Sequence, residues 1–311
     1  MDDGKYPVYV LKTTDRDAGI RKLLEPFPAG ELRGMTVAIK ANFNSADPYP
    51  ASTHPDTLSA IVDMMKANDV ARITVAERSG MGETPEVLRR LRITDLAERK
   101  GFDLVVLDDL RDMSCWERQG KMESYHWKNG YLFAKAFGEA DAIVATCCLK
   151  THRFGGHFTM SLKNSVGMVA AVDPESGYDY MRELHGSPGQ RQMIAEINTA
   201  YSPFCVVMDA IRGFSHGGPE KGTLIEPGLL LASADRVALD ACGVAILRMY
   251  GTTPEVAREE VFAQEQIARA AGLGIGATGP DQVEVVPLND GARDACRGIE
   301  RQMQGMIMAG H

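Results

Sequence analysis

The chain alternates short apolar runs with amphipathic stretches along nearly its whole length. "YPVYVLKT" precedes "DRDAGIRKLLEPF", "MTVAIKANF" precedes "HPDTLSAIVDMMKAND", and "ARITVAER" precedes "TPEVLRRLRITDLAERKG". "FDLVVLDD" follows, then "GYLFAKAFGEA", read as helical, and the strand "DAIVATCCLKTH". Later strands are "FCVVMDAI", "GLLLASAD" and "DQVEVVPL", with helices at "RVALDACGVAILRMYG" and "TPEVAREEVFAQEQIARAAG". Continuous Val/Ile/Leu runs between amphipathic helices predict an α/β fold, a mainly parallel sheet buried on both faces by helices. The segments 110–130 and 153–192 lack clear periodicity and read as long functional loops or lids. A chain of 311 residues suits one α/β domain over 1–311, with two lobes around a crevice as the open alternative.

Polar residues gather where the apolar runs end. Lys40 and Asn42 close "VAIKANF", Lys150, Thr151 and His152 close "AIVATCCLKTH", Asp209 closes "FCVVMDA", and Asp235 closes "LLLASAD". Ligand crevices of open α/β sheets lie at the carboxyl ends of strands, so these residues are expected around one pocket. Lys40, Lys150 and Lys163 could hold a carboxylate or phosphate, with Asn42, Thr151 and Asn164 beside them to orient it. His152 is the expected proton carrier, with His54 as a second candidate and Asp209 to orient the imidazole or bind a divalent ion.

"STHPDTL" reads as a helix start with Thr53 as cap and Asp56 as its capping-box partner. That would leave His54 at the positive end of the helix, where a neutral imidazole is favoured. His216, in "FSHGGPEKG", reads as part of a turn. Asp235 is expected to cap the helix that follows it. Asp240 lies on an apolar helix face and is expected to pair with a lysine or arginine. Asp235 and Asp240 are also the candidate metal ligands, with His152 and His157; whether a divalent metal is bound stays open.

Composition narrows the classes. The chain is 44% hydrophobic and 24% charged, an ordinary globular composition, and its formal net charge of -8 argues against a nucleic-acid partner. No apolar run is long enough for a membrane span and the acidic start does not resemble a signal peptide, so a cytoplasmic protein is expected. The six cysteines show no CxxC spacing, hence no iron–sulfur motif, and read as packed thiols. Cys147 and Cys148 are neighbours on a strand and should face opposite ways. GxxxxGK[ST] does not occur, GxGxxG occurs only at 274–279, ahead of a strand and not after one, and GxSxG occurs only at 213–217, so the layers are read as Rossmann-like without a dinucleotide fingerprint.

Five blocks occur in a recognisable order: "VAIKANF" with "THP", "GEADAIVATCCLKTH", "MSLKNSVG", "VVMDAIRGFSHGGPEKG" and "LLLASADRVALDACG". Through them the chain resembles the family called domain of unknown function 362, over roughly residues 30–250, with 251–311 as further helices and a last strand. The resemblance implies an α/β fold and no agreed activity. It covers Lys40, Asn42, Thr53, His54, Lys150, Thr151, His152, Lys163, Asn164, Asp209, Gly213, Gly217, Asp235 and Asp240 without giving them chemical roles. Some similar members add an iron–sulfur module that this chain lacks. Cys147-Cys148 stands where the family usually shows proline and lysine, and Ala41 where proline is common. Three functions follow: an enzyme acting on a small anionic metabolite, a redox accessory protein, or a non-catalytic anion sensor. Self-association is left open.

Overall fold

The computed structural model describes residues 4–120 and 123–305. Its strands are β1 (Tyr6–Lys12), β2 (Thr36–Lys40), β3 (Arg72–Glu77), β4 (Asp103–Val106), β5 (Trp116–Gln119) and β6 (Tyr131–Ala134). They continue as β7 (Ala142–His152), β8 (His157–Phe158), β9 (Cys205–Gly217), β10 (Gly222–Ile225), β11 (Leu229–Ser233) and β12 (Val283–Pro287). The main sheet runs β12-β1-β11-β9-β7-β2-β3-β4, with β10 added to β9 and β8 to β7, while β5 and β6 form a separate antiparallel pair. Neighbours from β9 through β4 are parallel, as is β1 with β12; β11 runs antiparallel to both its partners. The fold is therefore the α/β class expected, mixed in strand direction and mostly parallel.

Period-two alternation divides the strands between two cores. On one face Val37, Ile39, Val75, Val144 and Val207 pack with the helices Arg16–Leu24, Pro55–Ala67 and Ile93–Lys100. On the other, Ala145, Cys147, Val206, Met208 and Leu231 meet the helix Arg236–Met249. Beside them on that face Ala38, Ala76 and Ile143 are covered by side chains from residues 127–201. That second cover forms the walls of the site.

Three local expectations are corrected. "GYLFAKAFGEA" is not one helix: Tyr131–Ala134 is the strand β6, and only Lys135–Gly138 is helical. Four successive buried positions, two of them aromatic (Tyr131 and Phe133), favour a strand against a neighbour over a helix with one wet side. The segment 153–192 is no free lid, since Phe158, Met160, Leu162, Met168 and Tyr180 are all buried. The helix cap at Pro55–Ala67 is His54, whose Nδ1 accepts from the Asp56 amide at 3.1 Å, rather than Thr53. The Thr53 hydroxyl instead accepts from the Asn42 amide at 2.9 Å, tying the end of β2 to the helix start. No helix among the described residues is long and apolar enough to cross a membrane.

Candidate functional site

A cavity of about 740 Å³ opens beyond the carboxyl ends of β2, β3 and β7. Lys40, Asn42, Glu77, Arg78, His152, Lys163 and Asn164 line it. Lys40 ends β2 and Glu77 ends β3, and the two make a buried ion pair at 2.8 Å. Burial pushes the Lys40 amine down and the Glu77 carboxyl up to about 7. Asn164 braces the floor: its Nδ2 donates to the Thr146 carbonyl at 3.1 Å, and its Oδ1 lies 3.4 Å from Lys40 Nζ. Buried Arg78 donates to the backbone carbonyls of Val169 at 2.9 Å and Val166 at 2.8 Å. Among the described residues no carboxylate is bonded to its charge.

Lys163 is the outlier. Among the described residues no hydrogen bond or ion pair holds its amine. Burial, then the positive charges of Lys150 and Arg78, bring it down to about 8. Lys150 lies behind the wall, where its Nζ donates to the carbonyls of Pro50, at 3.3 Å, and Ala51. Among the described residues it too has no carboxylate partner, and burial lowers it. The cavity thus gathers Lys40, Arg78 and Lys163, with Lys150 behind the wall, around Glu77, its one buried carboxylate among the described residues, while half-buried Asp108 and exposed Asp179 line it nearer to solvent. An excess of positive charge confined to the buried part suits an anion there.

His152 is buried beside Lys163. Its pKa is driven well below the ordinary histidine value by burial first and then by Lys163 and His185. The Gly156 amide donates to its Nδ1 at 3.3 Å, so Nδ1 is the acceptor and Nε2 carries the proton. In that state the ring donates a hydrogen bond; it does not take up a proton near neutral pH. Two glycines make the packing possible. A Cβ at Gly156 would stand 2.8 Å from His152 Nδ1 and 3.1 Å from Lys163 Cε, and one at Gly167 would stand 2.7 Å from Lys40 Cε. Neither position requires a positive φ; what each needs is the missing side chain.

The residues expected at one pocket fall into two groups. Lys40, Asn42, His152, Lys163 and Asn164 line this cavity. Asp209 and His54 do not. Asp209 shares the face of Val207, where it accepts from Arg16 Nε at 2.8 Å, Thr57 Oγ1 at 2.7 Å, Tyr49 Oη at 2.7 Å and the Ile211 amide at 3.2 Å. With four donors it is an anchor between strand and helices. His54 stands near it, 5.6 Å from the Tyr49 ring, at a second, open cavity of about 950 Å³ that Arg16 and Arg212 also line. Thr151 donates to the backbone carbonyls of Phe214 at 3.2 Å and Gly217 at 3.3 Å, holding β7 to β9.

Among the described residues Asp240 has no lysine or arginine ion-pair partner of the kind expected. It accepts from the backbone amides of Ser161 at 2.7 Å and Leu162 at 3.0 Å, and burial pushes its carboxyl up to about 7. Asp235 caps its helix as expected, accepting from Ala238 at 2.5 Å and also from Ala277 at 3.2 Å. Both metal candidates are thus committed to backbone amides, and among the described residues no three His, Cys, Asp or Glu side chains converge as a metal site would need. Glu77 and Arg78 were missed in the sequence, although "ARITVAER" ends a strand on two charges, as "VAIKANF" ends one on Lys40 and Asn42.

The family model described as Domain of unknown function (DUF362) matches residues 37–245, two thirds of the chain and every cavity residue named above. No curated protein matches. Among solved structures, the lactate racemase apoprotein from Thermoanaerobacterium thermosaccharolyticum is similar at 16% identity and a TM-score of 0.48. The match covers 79% of this chain and 58% of that one, so the chain spans less than two thirds of that protein.

Proposed function

The chain belongs to the family described as Domain of unknown function (DUF362), a description without an activity, and from the cavity we propose an enzyme that binds a small organic anion and moves a proton on it. The observation that carries this reading is the Lys163 amine, unpaired among the described residues, in a cavity whose one buried carboxylate, Glu77, is already paired with Lys40. Lys40 and Lys163 would hold the carboxylate or phosphate, with Asn42 and Asn164 positioning it. An amine near 8 is neutral often enough around pH 7 to act as a general base. His152 would donate from Nε2 to the oxygen on which negative charge develops as a neighbouring C–H proton leaves. Lys163 is therefore the proposed base, and His152 the electrophile.

The redox alternative has less support. Cys147 faces the cavity and Cys148 lies 4.0 Å from Asn42 Nδ2. Burial pushes both thiols up, Cys148 to about 11, so neither offers a thiolate.

Proton exchange into solvent D₂O, followed by proton NMR over a panel of carboxylic acids with acidic α-hydrogens, tests the proposal. At least one acid should lose its α-proton signal with the native protein and keep it with Lys163→Met. Binding of the acids without exchange of any of them would leave a sensor in place of an enzyme.

A further inference from the structure

The cavity is larger, and its mouth more apolar, than a bare inorganic anion or a two-carbon acid needs. Its volume of about 740 Å³ lies in the range that holds a drug-sized ligand. Six large hydrophobic side chains are exposed among the described residues, and three of them line this one cavity: Met81 at 41%, Phe154 at 51% and Val172 at 44%. Such clustering marks a surface that something apolar covers. The polar groups lie deeper. Lys40 is 2% exposed and His152 6%, while Phe154 stacks edge-on against His152 at 5.8 Å and so joins floor to rim. Met160 and Met181 also line the wall, and their flexible thioethers adapt to varied shapes.

Charge sets a second condition. Two carboxylates less buried than Glu77, half-buried Asp108 and exposed Asp179, also line the cavity. Asp108 accepts from the Thr84 hydroxyl at 2.5 Å and Asp179 from the Arg182 amide at 2.8 Å. A second negative charge on the outer part of a ligand would meet them unfavourably.

We infer that the ligand is an amphiphilic monoanion, with one carboxylate or phosphate head on the Lys40–Lys163 floor and an uncharged apolar tail along Met81, Phe154 and Val172. This deepens the anion reading above and rests on it. A separate protein seated on the rim is the competing occupant. It would leave the affinity for small acids independent of their tails.

The test titrates acetate, butyrate, hexanoate and octanoate, with sulfate as a tailless control, by calorimetry on the native protein, on Lys163→Met and on the rim variant Phe154→Ser/Val172→Ser. The native protein should bind each longer acid about fourfold more tightly per buried methylene until the rim is covered. The rim variant, altered only at exposed positions, should keep its sulfate affinity and lose that increment. Lys163→Met should lose every anion. Equal affinity for acetate and octanoate, with both lost in Lys163→Met, would overturn the tail and leave the anion site standing. Chain-length dependence that survives Lys163→Met would also overturn it, since the tail would then bind without its head. Binding of no acid and no sulfate would remove both readings.

Discussion

Replacing Lys163 by methionine should make the free protein more stable, an unusual result for a residue that lines a cavity. The substitution keeps most of the volume and removes a charge that has no partner among the described residues. Holding an amine at about 8 when its ordinary value is 10.5 costs on the order of 3 kcal/mol, at about 1.4 kcal/mol for each tenfold change in proton affinity. Lys163 keeps some contact with water in the cavity, which screens part of this, so a measured gain of about 1–3 kcal/mol is expected. The sign with pH follows from proton counting. Below pH 8 the folded and unfolded chains both carry the proton and the cost stands in full. Between 8 and 10.5 the unfolded chain binds more protons than the folded one, so native stability rises with pH there. The gap between native and variant should therefore be widest at pH 7 and narrow steadily above pH 8. Urea unfolding of both proteins at pH 7, 8.5 and 9.5 measures it. A variant less stable than the native protein at pH 7, or a gap independent of pH, would refute the unpaired-amine argument.

Gly156→Ala and Gly167→Ala should each cost about 1–3 kcal/mol in thermal unfolding, because the new Cβ would stand within 2.8 Å of His152 and 2.7 Å of Lys40. Both should also weaken anion binding, which a surface Gly30→Ala control, with open space around it, should not. Asp240→Asn should flatten the native stability profile on the acid side. The raised carboxyl binds more protons folded than unfolded between 3.8 and about 7, so native stability falls as pH rises through that window. Asp209→Asn should cost about 2–4 kcal/mol, since four donors converge on the lost charge, yet leave sulfate binding at the cavity unchanged. Loss of sulfate binding in that variant would mean the two faces of the sheet form one site.

Much of this was legible in the sequence, and the losses have physical causes. Buried strands announce themselves through uninterrupted Val, Ile and Leu, which is why β2, β3, β7 and β11 are legible, and β9 as far as Ile211; β9 runs on to Gly217, so His216 lies on the strand, paired with β10, and not in the turn expected. β6 was lost because "YLFA" runs straight into a helix with no turn residue between them. Strand ends pointed to Lys40, His152 and Asp209 together, but the end of a strand has two faces. Asp209 shares parity with Val207 and so turns toward the helices Arg16–Leu24 and Pro55–Ala67, away from Met208 and the cavity. The register shift between β7 and β9 at Cys148/Leu149 further separates the two strand ends, and nothing in residue type marks a bulge there. Backbone amides as the partners of Asp240 were equally out of reach, because they belong to a segment 79 positions away in the chain. Lys163 was visible as a candidate. Its isolation from every carboxylate is a fact of the fold.

The most direct measurement of the central claim is anion-dependent melting of the native protein beside Lys163→Met and Lys40→Met at pH 7. Sulfate or phosphate should raise the native melting temperature in a saturable way, close the stability gap to Lys163→Met, and leave both variants unmoved. Equal shifts in all three proteins, or none in the native one, would contradict an anion site built on these lysines.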